Sequence, residues 1–283
     1  MIYDFVASIS KIMDQKSEII NPKSEMIYIG TSGFSYDDWV GPYYPEDLDK
    51  KDWLAFYAKE FKTLEINYTY YHMPTARTLA GMARKVPPGF FFTVKTPKEM
   101  THTRDADAAL FPQFIAALQP LRDANKFGAV LAQFPSSFHN TRENVDYLKK
   151  FRAHWRDLHV VVEFRNAKWL TDETFDLLRD QQLGFCCVDE PRLKGLLPPI
   201  AQATSNVAYV RFHGRNAQKW WQHEFAYERY DYTYSAEELA EWTPKIQKLN
   251  RLTETTFVFA NNHYRGQGID TARQLRLMLE PKT

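Results

Sequence analysis

Glu163 and Arg165 stand two residues apart at the end of the run VVVEFR, residues 160–165. Three valines and a phenylalanine make a strand that is apolar on both faces, the kind found in parallel sheets covered by helices. Residues i and i+2 of a strand share a face, so an acid and a base emerge together at its C-terminal end. The pattern recurs along the chain. Glu65 with Asn67, Lys95, Gln133, Asp189, Arg211 with His213, and Asn261 each end another strand-like run, and Thr31 ends the first. Earlier inward positions on these runs are apolar: Phe91, Leu131, Val161, Phe185, Val207 and Phe257.

Glu65, Glu163 and Asp189 face Lys95, Arg165 and Arg211 in this ring. Buried charges must pair or bind something charged. A salt-bridge plug is the bland reading, but a plug has little use for a histidine and three amides besides. Lys95, Arg165 and Arg211 suit a phosphate or carboxylate, which the planar guanidinium fork binds through parallel hydrogen bonds. Glu163 is the expected general base, and His213 the acid or base near neutral pH. Asp189 and Glu65 are the further catalytic carboxylates. Asn67, Gln133, Asn261 and Thr31 are expected to orient the substrate, with Trp39 and Trp169 as stacking platforms. A Schiff-base role for Lys95 is disfavoured, because the neighbouring carboxylates should raise its pKa.

Two other chemistries use the same residues. Glu65, Glu163, Asp189 and His213 could ligate Mn²⁺, Mg²⁺ or Zn²⁺. The chain has no HExxH or CxxC spacing, and three nearby cations would repel a metal. The expectation is therefore no metal and no cofactor, with a divalent ion as the alternative. A glycosidase would need two carboxyl groups across a scissile bond. Glu163 and Asp189 are the better-placed pair, but nothing singles out a sugar.

The elements that must position this ring alternate along the chain. Strands are expected at residues 27–30, 63–67, 90–95, 128–133, 159–165, 184–189, 207–213 and 256–261, with helices between most of them. A closed (β/α)₈ TIM barrel is the simplest solution, and its active sites lie at the C-terminal strand ends. An open doubly wound sheet is the competitor, but Gly30-Thr31-Ser32-Gly33 lacks the dinucleotide fingerprint spacing. The helix after the sixth strand should be short or absent, because that stretch carries Pro191, Pro198 and Pro199. Ser235 and Glu238 make a capping box opening one helix to about residue 250. The loop at residues 214–234 is long enough to act as a lid. Residues 1–25 read as a separate amphipathic helical extension, leaving residues 26–283 as the barrel.

Bulk composition excludes several classes. A net charge of +1 gives no global field for nucleic acid, although Arg215, Lys219, Trp220 and Trp221 form a short basic-aromatic stretch. No run of 18 apolar residues exists, so no membrane span is expected. Adjacent Cys186 and Cys187 would face opposite ways on a strand, and a reducing cytoplasmic setting follows.

Together these residues resemble the domain of unknown function 72 family, also called YecE-like. The resemblance rests on Ile29-Gly30-Thr31-Ser32-Gly33 with Trp39 and Tyr44-Pro45, and on Leu64-Glu65-Ile66-Asn67 through Tyr71. Phe92 to Lys95, Thr101-His102, Val162-Glu163-Phe164-Arg165 with Trp169, and Asp189 with Pro191 continue it. Val210-Arg211-Phe212-His213-Gly214-Arg215, Arg229-Tyr230-Asp231-Tyr232 with Tyr234-Ser235, and Phe259 to Asn262 complete it. It implies a TIM barrel with a polar cluster at the C-terminal mouth, and it implies no reaction. The sequence thus favours an enzyme doing acid–base or hydrolytic chemistry on an anionic small molecule. The alternatives are a metal-dependent phosphoesterase acting on nucleic acid, and a non-catalytic ligand-binding or scaffold protein.

Overall fold

Strands β1 (Ile27–Ser32), β2 (Thr63–Ile66), β3 (Phe91–Lys95), β4 (Phe127–Gln133), β5 (Val160–Glu163), β6 (Leu183–Asp189), β7 (Val207–Phe212) and β8 (Thr255–Ala260) pair in parallel, each with the next. β8 pairs back onto β1, so the sheet closes into the expected barrel. This computed structural model describes residues 27–107 and 109–280; the helix expected within residues 1–25 lies outside the described residues.

Helices α1 (Trp53–Tyr57), α2 (Ala76–Arg84), α3 (Leu110–Asp123), α4 (Arg142–Ala153), α5 (Asp172–Asp180), α6 (Ala236–Ala240), α7 (Thr243–Leu252) and α8 (Gln267–Leu279) follow the strands. Thr75, Thr141 and Thr171 start α2, α4 and α5, each side chain accepting from the backbone N–H three residues on. No helix separates β6 from β7, as the prolines there require. The single helix expected from Ser235 is two. The Ser235–Glu238 capping box opens α6, and α7 restarts with proline in its first turn, where the missing N–H costs no hydrogen bond. Among the described residues no helix is long and apolar enough to cross a membrane.

The barrel interior is layered. Tyr28 packs against both Phe91 and Phe257 low in the barrel. Above them Tyr209 turns its hydroxyl to Glu65 Oε2 at 2.6 Å and to Thr93 Oγ1 at 2.7 Å. The apolar floor therefore gives way to a charged layer through one phenol. β1 and β2 meet over a short register, Thr31 with Leu64 and Ser32 with Glu65. Just below, the Tyr57 hydroxyl of α1 sits between them, accepting from Thr31 N at 2.9 Å and donating to Thr63 O at 3.1 Å. Gly30 makes room for it, since a Cβ there would lie 2.9 Å from that hydroxyl.

Register settles which side chains point inward, and β6 departs from expectation. Val188 pairs with Arg211, and Asp189 with Phe212. Arg211 points into the barrel, so Cys186 and Val188 do too, while Phe185, Cys187 and Asp189 face the helices. Phe185 packs against Phe164 and Phe175 outside the barrel. The two cysteines are free and buried on opposite faces, Cys186 beside Glu163 and Cys187 beside Gln202.

Candidate active site at the barrel mouth

Arg211 forms the floor of the mouth. It is 2% exposed and spans two carboxylates: Nη1 donates to Glu163 Oε2 at 2.6 Å, and Nη2 donates to Glu65 Oε1 at 2.7 Å. Nη2 also lies 3.4 Å from Ser32 Oγ and 3.3 Å from Asn261 Oδ1, while Nε is buried without a partner. Arg165, above it, donates to Glu163 Oε1 through Nε and to Glu190 Oε2 through Nη1 at 3.2 Å. Burial alone would raise the Glu163 pKa, but Arg165, Arg211 and His213 hold it well below the usual carboxylate range. A carboxylate held that far down is a weak base, so Glu163 is better suited to position guanidinium groups than to take a proton.

His213 is fully buried beside this pair. Asn261 Oδ1 accepts from Arg211, which turns its Nδ2 toward His213 Nδ1 at 3.0 Å. The Nδ1 lone pair thus accepts from Asn261, while Nε2 lies 3.0 Å from Arg165 Nη2 and 3.2 Å from Glu163 Oε1. Burial and the nearby Arg165 lower the His213 pKa well below its ordinary value, in keeping with a neutral imidazole. His213 does not line the open cavity; it lies behind Arg165, whose Nη2 is 3.0 Å from its ring.

A cavity of about 420 Å³ opens above this floor. Asn67, Lys95, Gln133, Arg165, Arg211 and Asn261 line it, as expected. Lys95 Nζ donates to Gln133 Oε1 at 2.9 Å and lies 4.6 Å from the centre of the Tyr70 ring. Asn67 Oδ1 is buried without a partner. Burial, with Arg211 adding to it, lowers the Lys95 pKa to about 7 against the opposing pull of Glu163 and Glu65. The expected rise is therefore reversed, because both carboxylates already serve Arg211.

Four expected site residues lie elsewhere. Asp189 points out to the helix layer, where Arg215 grips it with two bonds of 2.8 Å and Tyr234 and Trp242 each donate at 2.7 Å. The faces of β6 thus lie one residue out of the phase expected from the sequence. Thr31 faces α1 and bonds to Tyr57, leaving the inward position to Ser32. Trp39 is buried under Tyr36 and Tyr44, with Nε1 donating to His263 O at 2.7 Å. Trp169 is buried between Phe138 and Phe164. Neither tryptophan reaches the cavity.

The cavity's aromatic wall comes instead from Tyr36, Tyr70, Tyr71, Tyr230 and His263. Tyr36 stacks on His263 with centroids 4.5 Å apart. The long loop after β7 delivers His223, Arg229 and Tyr230 over the mouth, and includes a 3-10 turn at Ala226–Tyr230. Arg229 packs against Trp220 and donates to its carbonyl at 2.9 Å. Glu190, which no pattern singled out, lies buried behind Arg165, and burial lifts its pKa to about 7. Only its position next to Asp189 could have drawn attention to it. Among the described residues no three His, Cys, Asp or Glu side chains come together as a metal site would need. Of the alternative ligand set, Asp189 faces the helix layer, bound to Arg215, and Arg211 lies between Glu65 and Glu163.

Residues 28–283 match the family described as Protein of unknown function DUF72. The chain belongs to the DUF72 family. It is 31% identical to the UPF0759 protein YunF of Bacillus subtilis (strain 168), over 90% of this chain and 95% of that protein. A DUF72 family protein of Thermotoga maritima MSB8, solved by crystallography, shares 42% identity at a TM-score of 0.84, covering 90% of this chain and 100% of that one. A second DUF72 crystal structure, from Enterococcus faecalis V583, shares 26% identity at a TM-score of 0.79, covering 91% and 99%.

Proposed function

We propose that this DUF72 protein binds a small phosphate- or carboxylate-bearing substrate in the barrel mouth and exchanges a proton with it through Lys95. One observation carries the reading. Lys95 and Arg229 both line the cavity, and among the described residues neither has a carboxylate partner. Two cationic groups without counter-ions in a half-enclosed site attract an anion. Arg165 and Arg211 add positive field, though Glu65, Glu163 and Glu190 balance them. Of the groups on the wall, Lys95 changes charge near neutral pH, which suits proton transfer.

Titration calorimetry with sulfate, then with phosphorylated and carboxylated metabolites, tests the reading. Saturable binding that Arg229→Gln weakens supports it. Binding that Arg229→Gln and Lys95→Gln both leave unchanged would place the anion elsewhere and sink it.

A second reading draws on the rim. Trp221 and Phe225 are 53% and 51% exposed. Phe225, Tyr227 and Tyr264 form a row of near-parallel rings, at centroid spacings of 5.6 and 4.6 Å. Such rows beside cations suit single-stranded nucleic acid. Anisotropy with a labelled oligonucleotide across a salt series tests this reading, which requires a steep loss of affinity with salt.

A further inference from the structure

We infer that Lys95 is a nucleophilic amine that forms a carbon–nitrogen double bond with an anionic aldehyde or ketone held in the mouth cavity. The inference rests on the anion-binding reading above and goes beyond it, from proton exchange to covalent chemistry.

Geometry comes first. Lys95 ends β3, so its long side chain rises from a rigid strand at the C-terminal face. Gln133 Oε1 at 2.9 Å and the Tyr70 ring at 4.6 Å fix Nζ on the cavity wall. Lysine is the sole primary amine among the residues lining this cavity. Gln133 Nε2 is itself tied to Phe134 O at 3.0 Å, so Gln133 presents its oxygen to Lys95. An amide oxygen accepts a hydrogen bond from a neutral amine as well as from an ammonium. A buried carboxylate in its place would have locked the ammonium form.

The surrounding charges set the amine's state. Glu65 from β2, Glu163 from β5, Arg165 just after it and Arg211 from β7 face Lys95, as does His102 from the loop after β3. Tyr70 and Gln133 contact Nζ directly, while Arg229 and Tyr230 share the cavity wall. Burial and Arg211 prevail, lowering the pKa to about 7. At pH 7 about half of such an amine is unprotonated, against roughly 0.04% of an ordinary lysine. Desolvation beside other cations is a recognised way to activate a lysine.

In the step itself, the Nζ lone pair attacks the carbonyl carbon. The C–N bond forms, the C=O π pair moves to oxygen, and a proton passes from nitrogen to that oxygen. Loss of the hydroxyl with one further proton, as water, leaves the imine. Arg229 holds the anionic end of the carbonyl compound, which selects oxoacids or phosphorylated aldehydes and ketones over neutral ones.

The test uses the full chain and two probes, pyridoxal 5′-phosphate and glyoxylate, each trapped with sodium borohydride and mapped by peptide mass spectrometry. Lys95 is expected to label at least about tenfold faster than exposed lysines at pH 7. Excess sulfate should slow labelling at Lys95 and not elsewhere, and the rate should rise with pH through a midpoint near 7. Lys95→Arg, checked by circular dichroism for folding, should lose the fast-labelling site. Labelling at Lys95 no faster than at surface lysines with both probes would overturn the inference. Sulfate binding measured separately distinguishes the failures: if sulfate binds at the mouth but Lys95 does not label, only the covalent step is wrong. If sulfate does not bind there, the anion site itself is wrong.

Discussion

Glu163 and Arg211 meet at 2.6 Å inside the barrel mouth with both side chains shut off from solvent. Arg211 also carries Glu65, so one guanidinium answers two buried carboxylates. Breaking such a pair from one side leaves charge uncompensated in a low-dielectric interior. Arg211→Met should cost about 3–5 kcal/mol of folding stability, read as a lower urea midpoint. Arg211→Lys should recover little, because a single ammonium cannot reproduce the planar fork. A loss under about 1 kcal/mol would mean that water or rearrangement relieves both glutamates.

Asp189 serves the wall rather than the mouth. Asp189→Asn loses the bidentate grip on Arg215 and should cost about 1–3 kcal/mol in stability. Sulfate affinity should stay within about twofold of wild type, since buried side chains on the outer face do not touch the anion. A tenfold change in affinity at unchanged stability would return Asp189 to the site.

Lys95 makes anion binding depend on pH in one direction. With its pKa near 7, it is charged below that value and neutral above. Sulfate, whose own charge does not change in this range, should bind more weakly as pH rises through about 7. Lys95→Gln should flatten the curve, whereas Arg229→Gln should lower affinity about tenfold and keep the slope. Calorimetry at several pH values measures both. A wild-type profile flat from pH 6 to about 8.5 would contradict the assigned state of Lys95.

Glu190 supplies a stability signal. Burial lifts its folded-state pKa from 4.5 to about 7, so the folded chain keeps a proton that the unfolded chain gives up earlier. Its contribution is full below about 4.5 and is lost as pH rises through about 7. Glu190→Gln keeps the neutral form throughout. The stability of the variant relative to wild type should therefore rise between those two pH values, as read from urea midpoints. A difference that stays constant would show that Arg165 holds Glu190 ionised.

The barrel and most of its ring were legible because strands alternate with helices and each strand ends in a polar residue. Lys95, Gln133, Glu163, Arg165 and Arg211 stand where their strand ends place them. β6 was misread for a definite reason. All seven of its residues are buried, so no alternation of polar and apolar side chains marks its faces, and a one-residue slip exchanges them. Phe185 and Asp189 were misplaced together. Gly184 held the missing clue: a Cβ there would come within 2.9 Å of Val161 inside the barrel, but that crowding exists only in three dimensions. Trp39 and Trp169 were misread because tryptophan in a loop looks alike whether it faces ligand or core. The wall tyrosines and Arg229 lie on loops whose paths no periodicity records.

Tyr57 ties the helical shell to the mouth. Its hydroxyl stands in for a rung between β1 and β2, directly below Ser32 and Glu65, which both touch Arg211. The seam where this cylinder is zipped is thus fastened by a button sewn to α1. Undocking α1 would let the two edges part and take the Arg211 anchorage with them. Amide exchange at Thr31, two strands away from the lysine, becomes a gauge of whether the mouth is properly set.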